Sequence, residues 1–156
     1  MRLNLFCRSY TRHMATFILK TEPSEFSFEN LIRAKKTTWD GISNNAALAA
    51  LRTAKTGDEA LIYHTGDIKA IVGLARITSS AYEDPKHLGK TASGEPKFAV
   101  VDLAPVRPVP TPVTLAQIKA DKRFASFALV RQSRLSVVLV PPELDAILRK
   151  MAGIAK

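Results

Sequence analysis

Four short segments place polar and aromatic side chains beside apolar stretches of the 156-residue chain. They offer aromatic rings for stacking, amides and hydroxyls for hydrogen bonding, and basic groups for binding anions. With one apolar neighbour, Ile42, the candidate residues are Lys20, Thr21, Trp39, Ile42, Ser43, Asn44, Tyr63, His64, Arg131, Gln132, Ser133 and Arg134. Because stacking and hydrogen bonding are means of recognition rather than bond breaking, these segments predict a binding site.

The sequence holds no complete motif for catalysis or for cofactor binding. Gly89-Lys90-Thr91 ends like a phosphate-binding loop, but Asp84 stands where that loop needs its first glycine. Gly41-Ile42-Ser43 begins like a nucleophile elbow, but Asn45 occupies the position of the last glycine. The three histidines have no metal-ligand spacing, and no Gly-x-Gly-x-x-Gly sequence occurs. We therefore expect no metal, no cofactor and no catalytic residues.

The segments must be positioned by the elements around them, which begin with a β-rich stretch. Residues 16–20 predict a strand that ends at Glu22-Pro23, since the residue before proline avoids the helical conformation. Ser27 can cap a helix that continues to about Ala34. Residues 37–41 interrupt the pattern, and a second helix is predicted over about 44–55, with Gly57 ending it.

The second half of the chain is richer in strands. Strands are predicted at residues 60–65, 69–79, 97–106 and 135–140, and a polar loop at 82–96. Gly73 indicates a bulge or a close approach within its strand, and four prolines from 105 onward should end the third strand. Short helices are predicted from the cap Thr114 to about 121 and from Pro142 to about 151, whereas 123–129 is left unassigned.

Strands joined by both turns and helices, without a regular βαβ rhythm, predict the α+β class. We expect a mixed sheet of about five to six strands, curled into a partly open barrel with short flanking helices. Residues 14–156 are predicted to form one domain. Residues 1–13 contain three arginines and no acid, and they are interpreted as a flexible leader or an upstream-start extension, with a short organellar transit peptide as the alternative.

The charge balance favours polyanionic partners. The chain has 23 Lys and Arg against 14 Asp and Glu, a net charge of +9, and it keeps +6 without the three leader arginines (9 − 3). One cysteine, Cys7, excludes an internal disulfide and favours a reducing compartment, cytoplasmic in a bacterium and nuclear or organellar in a eukaryote. No apolar run is long enough to span a membrane, so no membrane partner is expected. We also expect a monomer.

The order of these segments is similar to that of the EVE domain family, a branch of the PUA-like pseudo-barrels related to the YTH and ASCH domains. The resemblance runs from about Ala15 to Ala152. It rests on Lys-Thr-Glu-Pro at 20–23, Trp-Asp-Gly-Ile at 39–42 with Asn44, Gly-Asp at 57–58, Tyr-His at 63–64, Ile-Val-Gly at 71–73 and Val-Arg-Gln-Ser-Arg-Leu-Ser-Val at 130–137. It implies a non-catalytic module that reads one modified, flipped base of DNA or RNA at the barrel mouth.

A flipped base needs an aromatic surface and a few fixed hydrogen-bonding groups. Trp39 is the expected stacking surface, worth about 1–3 kcal/mol. Asn44 can donate and accept along a base edge beside Ser43. Arg131, Arg134 and Lys20 are the expected phosphate contacts.

The chain departs from the family where the pocket is expected. After Ile42 the family usually reads Arg-Asn-Tyr-Gln-Ala-Arg, whereas this chain reads Ser-Asn-Asn-Ala-Ala-Leu over residues 43–48. Two cations and an aromatic residue are thereby lost. We expect a roomier and less cationic pocket, with a different base preference or weaker binding.

Each candidate also has a structural interpretation. Trp39 could be a core anchor, and residues 131–134 a solvated turn. Tyr63 and His64 alternate along a strand, so only one can face the pocket, and His64 could be a satisfied structural histidine. Two other classes of function stay open. One is a hydrolase for a modified nucleoside or RNA that works through Lys20 or His64, and the other is a protein-binding adaptor.

Overall fold

The computed structural model describes residues 13–155. The strands are β1 (Thr16–Thr21), β2 (Thr37–Trp39), β3 (Glu59–His64), β4 (Ala70–Ile77), β5 (Tyr82–Glu83), β6 (Ala99–Thr114) and β7 (Val137–Val140). The helices are α1 (Phe28–Ala34), α2 (Asn45–Leu51), α3 (Leu115–Ala120), α4 (Ala128–Arg131) and α5 (Pro142–Ala152), with a 3-10 turn at Lys122–Phe124. Apart from His13, the expected leader at residues 1–13 lies outside the described residues.

All seven strands belong to one mixed sheet that curls into a half-barrel. Its order is β2-β6-β4-β3-β1-β7, with β5 paired to β6. Only the pair β1 and β3 is parallel, and every other pairing is antiparallel. The expected α+β class and curled mixed sheet are confirmed, and the strand count reaches seven with the two-residue β5. Across residues 13–155, no helix combines the length and the apolar character that crossing a membrane requires.

The sheet has a separate apolar core on each face, so its central strands are buried on both sides. In β1, Phe17 and Leu19 point to one core and Ile18 to the other. The first core includes Phe28 and Leu31 of α1, Ala47 and Leu51 of α2, and Trp39 of β2. The second includes residues of α3, α4 and α5. The continuous burial of β3 follows from this double packing, which is why its side chains do not alternate between apolar and polar.

Several local expectations are confirmed because the residues responsible act over short range. The Ser27 side chain accepts a hydrogen bond from the N–H of Asn30 and caps α1. Thr114 and Gln117 form a capping box at the start of α3, and Pro142 is the first residue of α5. Gly73 is a close approach, since a Cβ there would lie 2.5 Å from the ring of Phe28.

Two expectations about strands were wrong. Residues 37–39 form β2, which antiparallel pairing with residues 101–103 of β6 stabilises. The third long strand does not end at its prolines, because β6 continues through all four of them to Thr114. Beyond Leu103, β4 is the strand that pairs with β6, so alternate N–H groups of β6 lack a strand to bond. Prolines at 108, 110 and 112 lie where the pairing with β4 is irregular, since Ile71 pairs with Val113 and Gly73 with Pro108.

One helical expectation was wrong, and one unassigned stretch is helical. The second helix is shorter than expected, since α2 ends at Leu51 and the chain continues in turns to Gly57. The unassigned residues after 122 form the 3-10 turn and α4, which pack Phe124 and Leu129 into the second core. Burial of Phe124 and Leu129 among residues distant in the sequence stabilises these short segments, and such burial leaves no local pattern in the sequence.

Candidate binding site

A cleft of about 500 Å³ opens between the end of β1, the loop before α1 and the segment that follows β2. We call it the Trp39 cleft. The residues that line it are Lys20, Thr21, Glu22, Glu25, Phe26, Thr37, Thr38, Trp39, Asp40, Gly41, Ile42 and Ser136. Its volume falls within the range of pockets that hold small molecules. The structure thus brings together Lys20, Thr21, Trp39 and Ile42 of the expected site residues.

Trp39 is both a core residue and a wall of the cleft. Its side chain is only 7% exposed and packs into the core beneath α1 and α2. The ring of Phe26, which also lines the cleft, meets the indole edge to face, with centroids 6.2 Å apart and planes at 76°. The exposed part of the indole is too small for a base to stack across the whole ring. We therefore expect a ligand to contact part of Trp39 rather than to cover one of its faces.

The Lys20 side chain lies between the Trp39 cleft and a second cleft, and it lines both. Its Nζ donates a hydrogen bond to the backbone carbonyl of Ser133 at 3.1 Å and lies 5.7 Å from the centre of the Tyr63 ring. Burial lowers the pKa of this ammonium from its usual value of 10.5. The position of the charge is fixed by these two contacts.

Three carboxylates line the Trp39 cleft, and sequence reasoning did not select them as site residues. They are Glu22, Glu25 and Asp40, and Lys20 is the single cation among the described residues that line this cleft. Glu22 is held in place, because its carboxylate accepts hydrogen bonds from the Thr65 hydroxyl at 3.2 Å and from the Ser24 hydroxyl at 3.2 Å. The signal for Glu22 was its place in the Lys-Thr-Glu-Pro segment. The cleft is therefore acidic although the chain as a whole is basic.

Two hydroxyl groups in the Trp39 cleft are already engaged. The Thr21 hydroxyl donates to the carbonyl of Phe26 at 2.7 Å, and the Thr38 hydroxyl donates to Asp102 at 3.0 Å. Both threonines thus shape the cleft walls. The polar groups that remain for a ligand are the carboxylates, the Lys20 ammonium and the hydroxyls of Thr37 and Ser136.

The second cleft, of about 260 Å³, lies on the other side of Lys20. We call it the lysine cleft, and the residues that line it are Lys20, Tyr63, Thr65, Gly66, Lys69, Leu115, Lys119, Leu129, Val130 and Ser133. Tyr63 is only 3% exposed, and burial raises the pKa of its hydroxyl above the usual 10.0. Lys119 was not among the site residues expected from the sequence, because its place beside a cleft depends on α3 folding against distant residues.

His64 and Asn44 have structural roles in the fold. His64 is 3% exposed, and its Nε2 accepts a hydrogen bond from the N–H of Phe28 at 3.0 Å, which matches the structural interpretation. Burial lowers the pKa of this imidazole, and the charges of Glu29 and Glu22 partly oppose the shift. Asn44 caps α2 by accepting from the N–H of Ala47 at 3.0 Å, and it lies outside both clefts.

The remaining expected residues lie at other positions on the surface. Ser43 borders a third, smaller cavity of about 140 Å³ beside Ile42 and Asp84. Arg131 is exposed, and its Nε donates to the carbonyl of Ala125 at 2.9 Å, so it braces its own loop. Gln132 and Arg134 are exposed and line neither the Trp39 cleft nor the lysine cleft. In the described part of the chain, no three His, Cys, Asp or Glu side chains are grouped to hold a metal ion.

Comparisons with known proteins agree on one family. The model described as EVE domain matches residues 15–151. Thymocyte nuclear protein 1 of Rattus norvegicus is 32% identical over 161 residues, covering 85% of this chain and 71% of that protein. The NMR structure of Rpa0253 from Rhodopseudomonas palustris is 39% identical with a TM-score of 0.80, covering 92% of this chain and 96% of that one.

One similar crystal structure contains nucleic acid. It is that of human THYN1 protein in complex with DNA containing 5-methylcytosine, with a TM-score of 0.74 and 26% identity. The match covers 88% of this chain and 97% of that one.

Proposed function

This chain belongs to the EVE domain family, and from that premise we propose that it is a non-catalytic nucleic-acid-binding module. It recognises one modified base of a DNA strand, which enters the Trp39 cleft. The human THYN1 complex with DNA containing 5-methylcytosine supports modified DNA as the first ligand to test. RNA is the alternative strand, and repeating the affinity test below with matched RNA strands distinguishes the two, because each RNA sugar carries an additional hydroxyl.

The observation that carries this proposal is the composition of the Trp39 cleft. It is about 500 Å³ in volume and combines the rings of Trp39 and Phe26 with polar groups held at fixed positions. Sites for an extruded base need this combination, since the ring demands apolar contact and its edge demands hydrogen bonds. Because Trp39 is only partly exposed, we expect the base to contact part of the indole rather than to stack over its whole face.

The carboxylates indicate which edge of a base fits the cleft. Glu22, Glu25 and Asp40 accept hydrogen bonds, and a carboxylate pairs well with the exocyclic amino group of cytosine. A phosphate is poorly suited to the same place, because three negative charges would repel it. Glu22 is the preferred reader, since hydrogen bonds from Thr65 and Ser24 already orient its carboxylate.

The environments of Lys20 and His64 favour binding over catalysis. His64 does not provide the accessible acid or base that hydrolysis would require. It is buried, and its Nε2 accepts a hydrogen bond from the N–H of Phe28. Lys20 donates to Ser133 and lies over Tyr63, an arrangement that suits a fixed charge. Incubation with modified nucleosides and oligonucleotides, followed by mass analysis, should give no product. Any turnover would favour the hydrolase alternative.

The proposal is tested by the affinity for matched DNA strands that carry 5-methylcytosine, cytosine or an abasic site at one position. The unsubstituted protein should prefer the 5-methylcytosine strand. Glu22→Gln should reduce its preference over the abasic strand by about tenfold, because an amide replaces the oriented carboxylate. Glu143→Gln, an exposed residue of α5 outside the cleft, is the control with the same charge change. Equal affinity of the unsubstituted protein for all three strands would refute the proposal.

A further inference from the structure

We propose that the lysine cleft binds a backbone phosphodiester of the same nucleic-acid strand, next to the base in the Trp39 cleft. The identity of the strand rests on the proposed function. The anion site itself rests on the residues of the lysine cleft. The two clefts would then divide the nucleotide between them, with the base on the acidic side of Lys20 and the phosphate on the basic side.

The cations of the lysine cleft come from three separate elements of the fold. Lys20 lies at the end of β1, Lys69 directly before β4, and Lys119 near the end of α3. None of the described residues that line this cleft is acidic. Within residues 13–155, no ion pair is formed by Lys69 or Lys119. Three lysines that line one cleft without an acidic neighbour give it a positive potential, so the cleft favours an anion such as phosphate.

The backbone of Lys69 is held in place beside α3. Lys69 has φ of 45°, in the left-handed region that residues other than glycine rarely adopt. Its carbonyl accepts a hydrogen bond from the N–H of Leu115 at 2.8 Å, which ties this turn to the start of α3. The tie holds the turn that bears Lys69 against the helix that bears Lys119.

Lys20 makes the two clefts neighbours, because its side chain lines both of them. Their chemistry is complementary: the Trp39 cleft has three carboxylates, and the lysine cleft has three ammonium groups. The Tyr63 ring is too buried to stack with a second base, and it packs instead beneath the Lys20 ammonium. A single strand can satisfy both clefts when its base and an adjacent phosphate bind on opposite sides of Lys20.

The test compares two double variants that remove the same charge. Lys69→Gln with Lys119→Gln changes the lysine cleft, whereas Lys86→Gln with Lys150→Gln changes exposed lysines that line neither cleft. The affinity of each protein for the abasic and the 5-methylcytosine strands is measured between 50 and 200 mM salt. Losing the contact with this one phosphate should lower the magnitude of the log–log salt slope by about 0.7. Over this fourfold range of salt, the affinity of the cleft variant should then fall about 2.6-fold less than that of the unsubstituted protein.

The two proposals fail in different ways. An unchanged slope in the Lys69 and Lys119 variant, matching the Lys86 and Lys150 control, would overturn the phosphate site even if the preference for 5-methylcytosine persists. If the unsubstituted protein shows no preference for 5-methylcytosine, base recognition is overturned. The difference in salt slope between the two double variants still tests the phosphate site. Titration with inorganic phosphate should show no saturable binding at millimolar concentration, since the strand must be anchored at both clefts. Tight binding of free phosphate would contradict the backbone assignment.

Discussion

The imidazole of His64 accepts at Nε2 a hydrogen bond from the main-chain N–H of Phe28, across 3.0 Å. This bond joins the end of β3 to the first residue of α1, where the N–H groups have no partner within the helix. It requires a neutral ring that carries its proton on Nδ1. Phe28 follows shortly after Phe26, so the bond also supports the segment that lines the Trp39 cleft.

The stability of the fold should therefore depend on pH through His64. Burial lowers the pKa of His64 in the folded state below its usual value of 6.5, although Glu29 and Glu22 partly oppose this. Below pH 6.5 the unfolded chain takes up a proton that the folded chain does not, so stability is lost as the pH falls. The loss is at most about 1.4 kcal/mol per pH unit, down to the folded-state pKa. Chemical denaturation at pH 7, 6 and 5 measures it.

His64→Gln supplies the comparison for this prediction, because glutamine does not titrate in that range. The stability difference between the unsubstituted protein and the variant should shrink as the pH falls from 7 to 5. A constant difference across that range would show that protonation of His64 is not linked to folding.

Gly73→Ala should destabilise the fold by about 1–3 kcal/mol. The added Cβ would lie 2.5 Å from the ring of Phe28, which is 2% exposed and cannot easily move. Gly94→Ala is the control, because a Cβ there meets nothing within 4 Å and only its φ of 81° opposes the change. Thermal unfolding of both variants measures the effect. A Gly73 variant no less stable than the Gly94 variant would contradict the close packing of β4 against α1.

Asn44→Ala should lower stability by about 1 kcal/mol and leave base selectivity unchanged. Its side chain caps α2 and lines neither cleft, so the loss is a helix cap rather than a ligand contact. Asn44→Ser retains a capping oxygen and should recover most of the stability. A drop in the preference for 5-methylcytosine with normal stability would instead return Asn44 to the binding site.

Much of the fold follows from short-range signals in the sequence. Ser27, Thr114 and Pro142 mark helix starts, and Gly73 marks a close approach, because each acts on its immediate neighbours. β2 and the long β6 were not predictable in this way. Residues 37–39 form a strand only because residues 101–103 pair with them, and the prolines of β6 are tolerated only at an edge.

The binding site was less predictable than the fold. The residue order indicated Lys20, Thr21, Trp39 and Ile42, which the structure brings into one cleft. The carboxylates of Glu25 and Asp40 line that cleft by virtue of loops whose course depends on the whole sheet. Lys69 and Lys119 line one cleft although they are 50 residues apart in the sequence. No local sequence pattern extends over such a separation.

The central claim, that a modified base enters the Trp39 cleft, is tested most directly by the fluorescence of Trp39, the only tryptophan in the chain. A DNA strand with one 5-methylcytosine and a matched abasic strand are each titrated to saturation, with binding followed independently by anisotropy. The 5-methylcytosine strand should change the emission of Trp39 saturably, and the abasic strand should bind without that change. Identical emission with both strands at saturation would contradict entry of the base into the cleft.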